Sequence, residues 1–542
     1  MKKLLAAMFT TAGAFVARAA TNATDSAATA LAKIAEGVTQ APEVPAATVE
    51  TQNPWLDVLT EKVGMVDDLV WGVPLIAAIL VTGALLTFVL RFQHIFNLKR
   101  AFKIMFSREN GATAGEVSQF GALCTALSAT IGTGNIVGVA TAIGVGGPGA
   151  LFWMEVAAFF GMATKYAEGL LAVKYREITP EGKVLGGPFY YIERGLKGVF
   201  GIQNWKWLAV AFAFFGTLAG IMGIGTITQI HGITSAVQRF FDPQFNPMDM
   251  TTGMRLFDTT YSVPVVIAGV IVTACVALVV IGGLKRIASV SMIVVPFMAI
   301  FYVVIIAFLL LGNCSRIFEA VELIVRSAFN PAAYTGGAVG TIFIAMQKGI
   351  ARGIFSNEAG LGSAPIAAAA AKTNEPVRQG LVCMTGTFID TIIICTMTGL
   401  AIVVTGAWEP SLNLKGVDIT IYAFSEGLNF LGPHSAKLSA FFLMVALTFF
   451  AFTTILGWDY YSEKCLEYLV GPRRQWAVRL YRLLYVLVVF IGPYLTVKVV
   501  WDMADVFNGL MAFPNLVALL LLSPMVMRTT REYFRRCPKE DA

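Results

Sequence analysis

Apolar runs long enough to cross a bilayer recur along the whole chain, separated by short polar connections. Uncharged stretches from Leu69 to Leu90, Val117 to Met154, Ile287 to Gly312 and Val506 to Met527 each exceed the roughly 20 residues that span about 30 Å as helix. The pattern predicts an all-α membrane protein with eleven spans, at about 69–91, 117–145, 149–173, 207–232, 262–284, 287–312, 336–370, 379–405, 436–465, 483–498 and 503–527. The first stands alone. The other ten divide into five and five, and each set opens on a segment broken by glycines, Ser128 to Gly138 and Gly353 to Ser363. Because five is odd, the second set enters the membrane from the opposite face, which gives an inverted repeat with the broken helices meeting near the midplane.

This predicts five regions. They are a signal-like and polar extracytoplasmic segment (1–68), a first helix with a cytoplasmic amphipathic connector (69–116), a first five-helix repeat (117–312), a second, inverted repeat (313–527) and a basic cytoplasmic tail (528–542). The start fits a secretory signal: Met1-Lys2-Lys3, an apolar run from Leu4 to Ala17, then Ala17-Arg18-Ala19. An uncleaved extension is the alternative. Between Arg91 and Arg108, basic residues alternate with Phe92, Phe96, Phe102, Ile104 and Phe106, a pattern suited to the inner leaflet.

Composition agrees with a bilayer. Of 542 residues, 56% are hydrophobic and 14% charged, unlike an ordinary soluble globule. The net charge of +6 would suggest nucleic acid in a soluble protein, but the basic residues here lie in the connections. Sorting the connections to alternate sides puts 25 Lys and Arg on one side and 7 on the other. The richer side is cytoplasmic, leaving the amino terminus outside and the carboxyl terminus inside an inner, or plasma, membrane. Membrane lipid is therefore a partner and nucleic acid is not. Seven cysteines lack CxxC spacing and three histidines lie far apart, so no metal cluster is expected. No HExxH or GxSxG element is present, which argues against a membrane enzyme.

Hydrocarbon cannot satisfy the backbone groups that a broken helix exposes, so both breaks must face protein, ions or a polar solute. Gly132-Thr133-Gly134 is no dinucleotide loop, since the next glycine is at 138 and no strand precedes it. Freed amides near Thr133 and Gly134 suit a carboxylate, and freed carbonyls near Ser128 and Ile131 suit a hard cation such as Na⁺. Close helix packing is the competing explanation for such glycines. Among ionisable residues in the spans, Lys348 and Arg352 lie one helical turn apart. They form either an outer gate with an acid such as Asp390 or Glu155, or a static pair.

Gly132-Thr133-Gly134-Asn135-Ile136-Val137-Gly138, Gly186-Gly187-Pro188-Phe189-Tyr190-Tyr191-Ile192-Glu193-Arg194-Gly195 and Arg352-Gly353-Ile354-Phe355-Ser356-Asn357-Glu358-Ala359-Gly360-Leu361-Gly362-Ser363-Ala364-Pro365 closely resemble the alanine or glycine:cation symporters, the sodium:alanine symporter family. The resemblance covers roughly residues 69–530. It implies a LeuT-type five-plus-five fold with one preceding helix and Na⁺-coupled uptake of a small neutral amino acid, alanine or glycine, with Na⁺ as coupling ion and no cofactor. By position it implies that Thr133 and Gly134 bind the substrate carboxylate with Asn135 nearby, that Phe355 and Trp458 wall the pocket, and that Gln229 reaches it. The carbonyls of Ser128 and Ile131, with Thr453 and Thr454, resemble a sodium site. Two alternatives remain at this stage: an H⁺-coupled transporter of another small solute, for which His231 is a titratable candidate, and an ion channel.

Overall fold

A computed structural model describes residues 54–107, 114–180, 182–201, 204–245, 253–256, 259–329, 340–432, 434–495 and 498–537. The signal-like start lies outside them. Leu59–Ala542 forms one compact unit.

Among the described residues, nine helical stretches are long and apolar enough to cross a membrane: Val58–Val89, Gly149–Lys174, Lys206–Phe241, Val263–Val280, Gly283–Gly312, Pro376–Val404, Ser435–Val470, Gln475–Tyr494 and Asp502–Arg536. A tenth forms if Gln119–Thr130 and Thr133–Gly146, bent by 62° at their junction, are one span. The segment expected at 336–370 is helix Gly340–Asn357 followed, after an irregular stretch, by Ala364–Ala368. Gln347, Lys348, Arg352 and Asn357 keep it below the apolarity of the others. Two further boundaries differ from the sequence expectation. Residues from Val58 onward already belong to the first span, and the last helix runs through Arg536 into the supposed tail.

Hydrophobicity sorts the helices between lipid and core. Val263–Val280 and Gly283–Gly312 contain the most apolar 18-residue stretches, with mean hydropathy 2.9 and 3.0, yet only 33% and 28% of those stretches is buried. The most apolar 18-residue stretch of Gly149–Lys174 has mean hydropathy 1.2 and is 83% buried. Lipid-facing helices need apolar side chains all round, whereas a helix enclosed by protein tolerates Lys165 and Glu168, both buried. The connector carries the amphipathic helix Leu98–Phe106, whose Ala101, Ile104 and Met105 are buried. Arg100 lies 5.3 and 5.1 Å from the ring centres of Tyr533 and Phe534, which ties the connector to the last helix.

Small residues set the closest approach in the core. A side chain built on Gly457 would bring its Cβ 2.6 Å from the Ala129 amide nitrogen, so Ser435–Val470 and the first broken helix touch backbone to backbone. Gly457→Ala is expected to destabilise by about 1–3 kcal/mol, as overpacking does, seen as a lower thermal midpoint in detergent. An unchanged midpoint would show that the helices can separate freely.

Candidate functional site

The first break has a local cause. Ser118 caps Gln119–Thr130 by accepting from the Gly121 amide at 3.0 Å, and the helix ends where Ile131 turns extended (φ −76°, ψ 95°). Gly132 is also extended, Thr133–Asn135 form a single 3₁₀ turn, and helix resumes at Val137. At the second break Glu358 (φ 56°), Gly360 (91°) and Gly362 (84°) all take left-handed conformations, which end a helix. For Glu358 that conformation costs energy, and its carboxylate is held on both sides. Trp458 Nε1 donates to Oε1 at 2.9 Å and Ser363 Oγ donates to Oε2. Glu168 accepts from the Gly360 amide at 3.2 Å and from Asn515 Nδ2 at 2.7 Å; that same nitrogen donates to the Gly360 carbonyl at 2.9 Å.

The first break adjoins the last turn of the helix that leads into the second. A Cβ on Gly134 would lie 3.4 Å from Phe355 Cδ1 and 3.7 Å from Ser356 Cα. Above them opens a cavity of about 410 Å³, with Thr133, Gly134, Phe355, Arg352, His231 and Asp505 among its walls. Thr133, Gly134 and Phe355 thus share one chamber.

Three other residues expected at the substrate lie just behind it. Asn135 is fully buried, with its Oδ1 accepting from the Gly132 amide at 2.9 Å and its Nδ2 donating to Asp390 Oδ1 at 2.8 Å. It braces the break instead of lining the cavity. Gln229 is 2% exposed; its Nε2 donates to the Ile224 carbonyl at 3.1 Å and its Oε1 accepts from the Thr133 amide at 3.4 Å. Trp458, fully buried, does not wall this cavity either, because an indole N–H in an apolar interior requires an acceptor and Glu358 supplies it.

At the expected ion position, Thr454 Oγ1 lies 3.2 Å from the Ile131 carbonyl and 3.0 Å from that of Phe450. Neighbouring Thr453 donates to Phe449 and Phe450 carbonyls at 3.1 and 3.0 Å and lies 3.4 Å from Met298 Sδ. The Ser128 hydroxyl donates within its own helix to Thr125 at 2.8 Å. Thr454, not Thr453, therefore hydrogen-bonds to the first break.

The gate expectation needs correction at Asp390. Its carboxylate accepts from Asn135, Ser356 and Thr391, each at 2.8 Å, and has no ion pair with Lys348 or Arg352 among the described residues. Asp390 is fully buried and lies outside the walls of the cavity and of the side pocket that holds Lys348 and Arg352, which explains this. Arg352 instead sits over the Phe355 ring at 5.5 Å and lines the cavity together with Asp502 and Asp505. A smaller side pocket holds Lys348, Arg352, Asp67, Asp68 and Asp505 together. The sequence reading missed Asp505 and Asn515. An isolated Asn beside Pro514 in an apolar run was the available signal for Asn515.

Outside the cavity walls, the segment entering the first broken helix and the segment leaving the second are sewn together. Glu116 and Val117 amides donate to the Ala370 carbonyl at 2.8 and 3.1 Å, and Lys372 donates to Val117 at 2.7 Å. Arg176 spans the seam, donating to the carbonyls of Ala369, Ala371 and Thr373 at 2.6, 2.6 and 2.5 Å and of Ala114 at 3.2 Å.

A many-helix membrane protein with interrupted helices beside one chamber, its largely apolar walls set with Thr133, His231, Arg352 and Asp505, has the form of a transporter. The chain belongs to the sodium:alanine symporter family, whose profile it matches over residues 56–542. It is 51% identical over 472 residues to an uncharacterized transporter of Haemophilus influenzae, covering 87% of this chain and 95% of the relative. It is 45% identical to the sodium/alanine symporter AgcS of Methanococcus maripaludis (87% and 96% covered) and 33% identical to the probable sodium/glutamine symporter GlnT of Bacillus subtilis (88% and 91%). Among solved structures, MhsT in complex with L-phenylalanine aligns with TM-score 0.50 at 12% identity, over 77% of this chain and 98% of that one, a likeness of fold alone.

Proposed function

We propose that this protein is a secondary active symporter, coupling inward Na⁺ movement to uptake of a small neutral amino acid, alanine or glycine, by alternating access. The observation that carries the reading is that Thr133 and Gly134 of the first break share one chamber with Phe355, on the helical turn just ahead of the second break. The Thr133 and Gly134 backbone, just ahead of the Val137–Gly146 helix, offers the positive end that attracts a carboxylate. The Ile131 carbonyl and Thr454 hydroxyl offer oxygens to Na⁺. Phe355 standing close against Gly134 leaves room there for a small side chain, and the likeness to a sodium/alanine symporter over most of both chains agrees.

The core is a LeuT-type five-plus-five inverted repeat, 117–312 and 313–527, after one leading helix. Arg239 and Val417 line the chamber and belong to connections on the side poor in Lys and Arg; with the amino terminus outside, as that charge bias implies, the chamber faces outward. The Arg176 seam closes the cytoplasmic side of the bacterial inner membrane. Lys348 and Arg352, with Asp505 and Asp67 in place of Asp390, form the outer gate. One charge crossing 100 mV supplies about 2.3 kcal/mol and 1.4 kcal/mol is a tenfold ratio, so one Na⁺ concentrates a neutral solute roughly 40-fold.

Proteoliposomes given an inward Na⁺ gradient are expected to accumulate labelled alanine or glycine, to lose that uptake when choline replaces Na⁺, and to exchange labelled for unlabelled substrate. Uptake driven by pH in choline would overturn Na⁺ coupling in favour of H⁺, and flux without exchange or saturation would indicate a channel.

A further inference from the structure

We infer that Asp390 is a positioning residue that couples the ion position to the substrate chamber by joining the two broken helices. This rests on the symport reading above and assigns a residue to its coupling step. Asp390, Asn135, Ser356 and Thr391 are all buried to within 1%, so water does not compete for their hydrogen bonds. On one side Asp390 Oδ1 accepts from Asn135 Nδ2 at 2.8 Å, and the same nitrogen reaches the Asp390 main-chain oxygen at 3.2 Å. On the other, Oδ2 accepts from Ser356 Oγ at 2.8 Å.

Followed outward, the connections reach both functional positions. Asn135 Oδ1 holds the Gly132 amide at 2.9 Å, and Gly132 directly follows Ile131, whose carbonyl meets Thr454. Ser356 directly follows Phe355, a wall of the chamber. An ion that fixes the Ile131 carbonyl therefore orients Gly132 and Asn135, and through Asp390 the turn that carries Phe355.

The helix around Asp390 supports a special role. Residues Phe388–Cys395 form a π-helix, a rare, wide-turned form found mostly at functional sites. A carboxylate suits this junction because it is acceptor-only and can receive three donors at once, whereas an asparagine amide presents two N–H donors of its own to groups that already donate.

The test measures linkage, which a merely structural residue would not move. In the purified full-length protein, the Kd for labelled alanine is determined at low and at saturating Na⁺, and the ratio of the two gives the coupling factor. Such factors are typically about 5 to 150. The parent is expected to fall in that range, with Asp390→Asn bringing the factor to within about twofold of unity, although alanine and Na⁺ each still bind. Ser356→Ala cuts only the second helix's leg and is expected to lower the factor by about threefold or more. If Asp390→Asn does not fold, Ser356→Ala decides alone. A folded variant that binds less tightly but keeps the parental factor would overturn the proposal. A parent whose alanine affinity ignores Na⁺ would instead overturn the symport reading, and this inference with it.

Discussion

Thr454→Val is expected to take up alanine only at Na⁺ concentrations about tenfold or more above those that serve the parent. The substitution preserves shape and removes one oxygen, the hydroxyl lying 3.2 Å from the Ile131 carbonyl. Hydrogen bonds and ligands to charged groups contribute roughly 1.5–3 kcal/mol, and each 1.4 kcal/mol is a factor of ten. The apparent Na⁺ affinity should therefore fall by about 10- to 150-fold, while the maximal rate at saturating Na⁺ changes little. Thr453→Val supplies the contrast. Its hydroxyl bonds its own helix and touches Met298, so its effect on the Na⁺ requirement should stay within about threefold, the scale of one neutral hydrogen bond. Uptake measured against Na⁺ concentration decides between them. Identical curves for Thr454→Val and the parent would remove this residue from the ion position.

The positions of the breaks were legible because glycine is cheap where a chain must leave the helix, and a membrane allows such departures only where protein or solute answers the freed groups. Gly134 thus marks the chamber directly, whereas Gly132 meets Thr454 and Gly360 and Gly362 pack against Leu516 and Phe212. What answers those groups was far less legible, because it is settled by side chains distant in sequence. Glu358 and Trp458 are a hundred residues apart and Glu168 and Asn515 more than three hundred, and nothing in helix periodicity joins them. The same limit displaced Trp458. Its helical phase places it on one face with Thr454, as expected, but that face meets the first break at Thr454 and the second at Glu358. Asp390 was visible as a costly intramembrane charge in need of partners. The sequence could not say that Asn135, Ser356 and Thr391 would serve it before any arginine did.

The tightest point of the site sets the other large expectation. A Cβ on Gly132 would sit 2.5 Å from Thr454 Oγ1 and 3.4 Å from Gln229 Oε1. Backbone strain is not the obstacle, since Gly132 is extended (φ −140°, ψ −154°) and alanine adopts that conformation freely. The obstacle is the β-branched threonine, whose stiff side chain can move its hydroxyl aside only by changing rotamer, and that withdraws the oxygen from Ile131. Gly132→Ala therefore either forces the two helices apart or removes the ion ligand, and both routes abolish coupling. Na⁺-driven uptake is expected to drop about 100-fold or more, which corresponds to about 2.7 kcal/mol, in protein that still elutes as a single folded species. The double variant Gly132→Ala with Thr454→Ala separates the two effects. Shortening residue 454 makes space for the new methyl, so the thermal midpoint should recover toward the parent, but no hydroxyl returns and the Na⁺ requirement should stay high. Recovery of both stability and Na⁺ affinity would mean that Gly132 matters for packing alone and that the ion is held elsewhere.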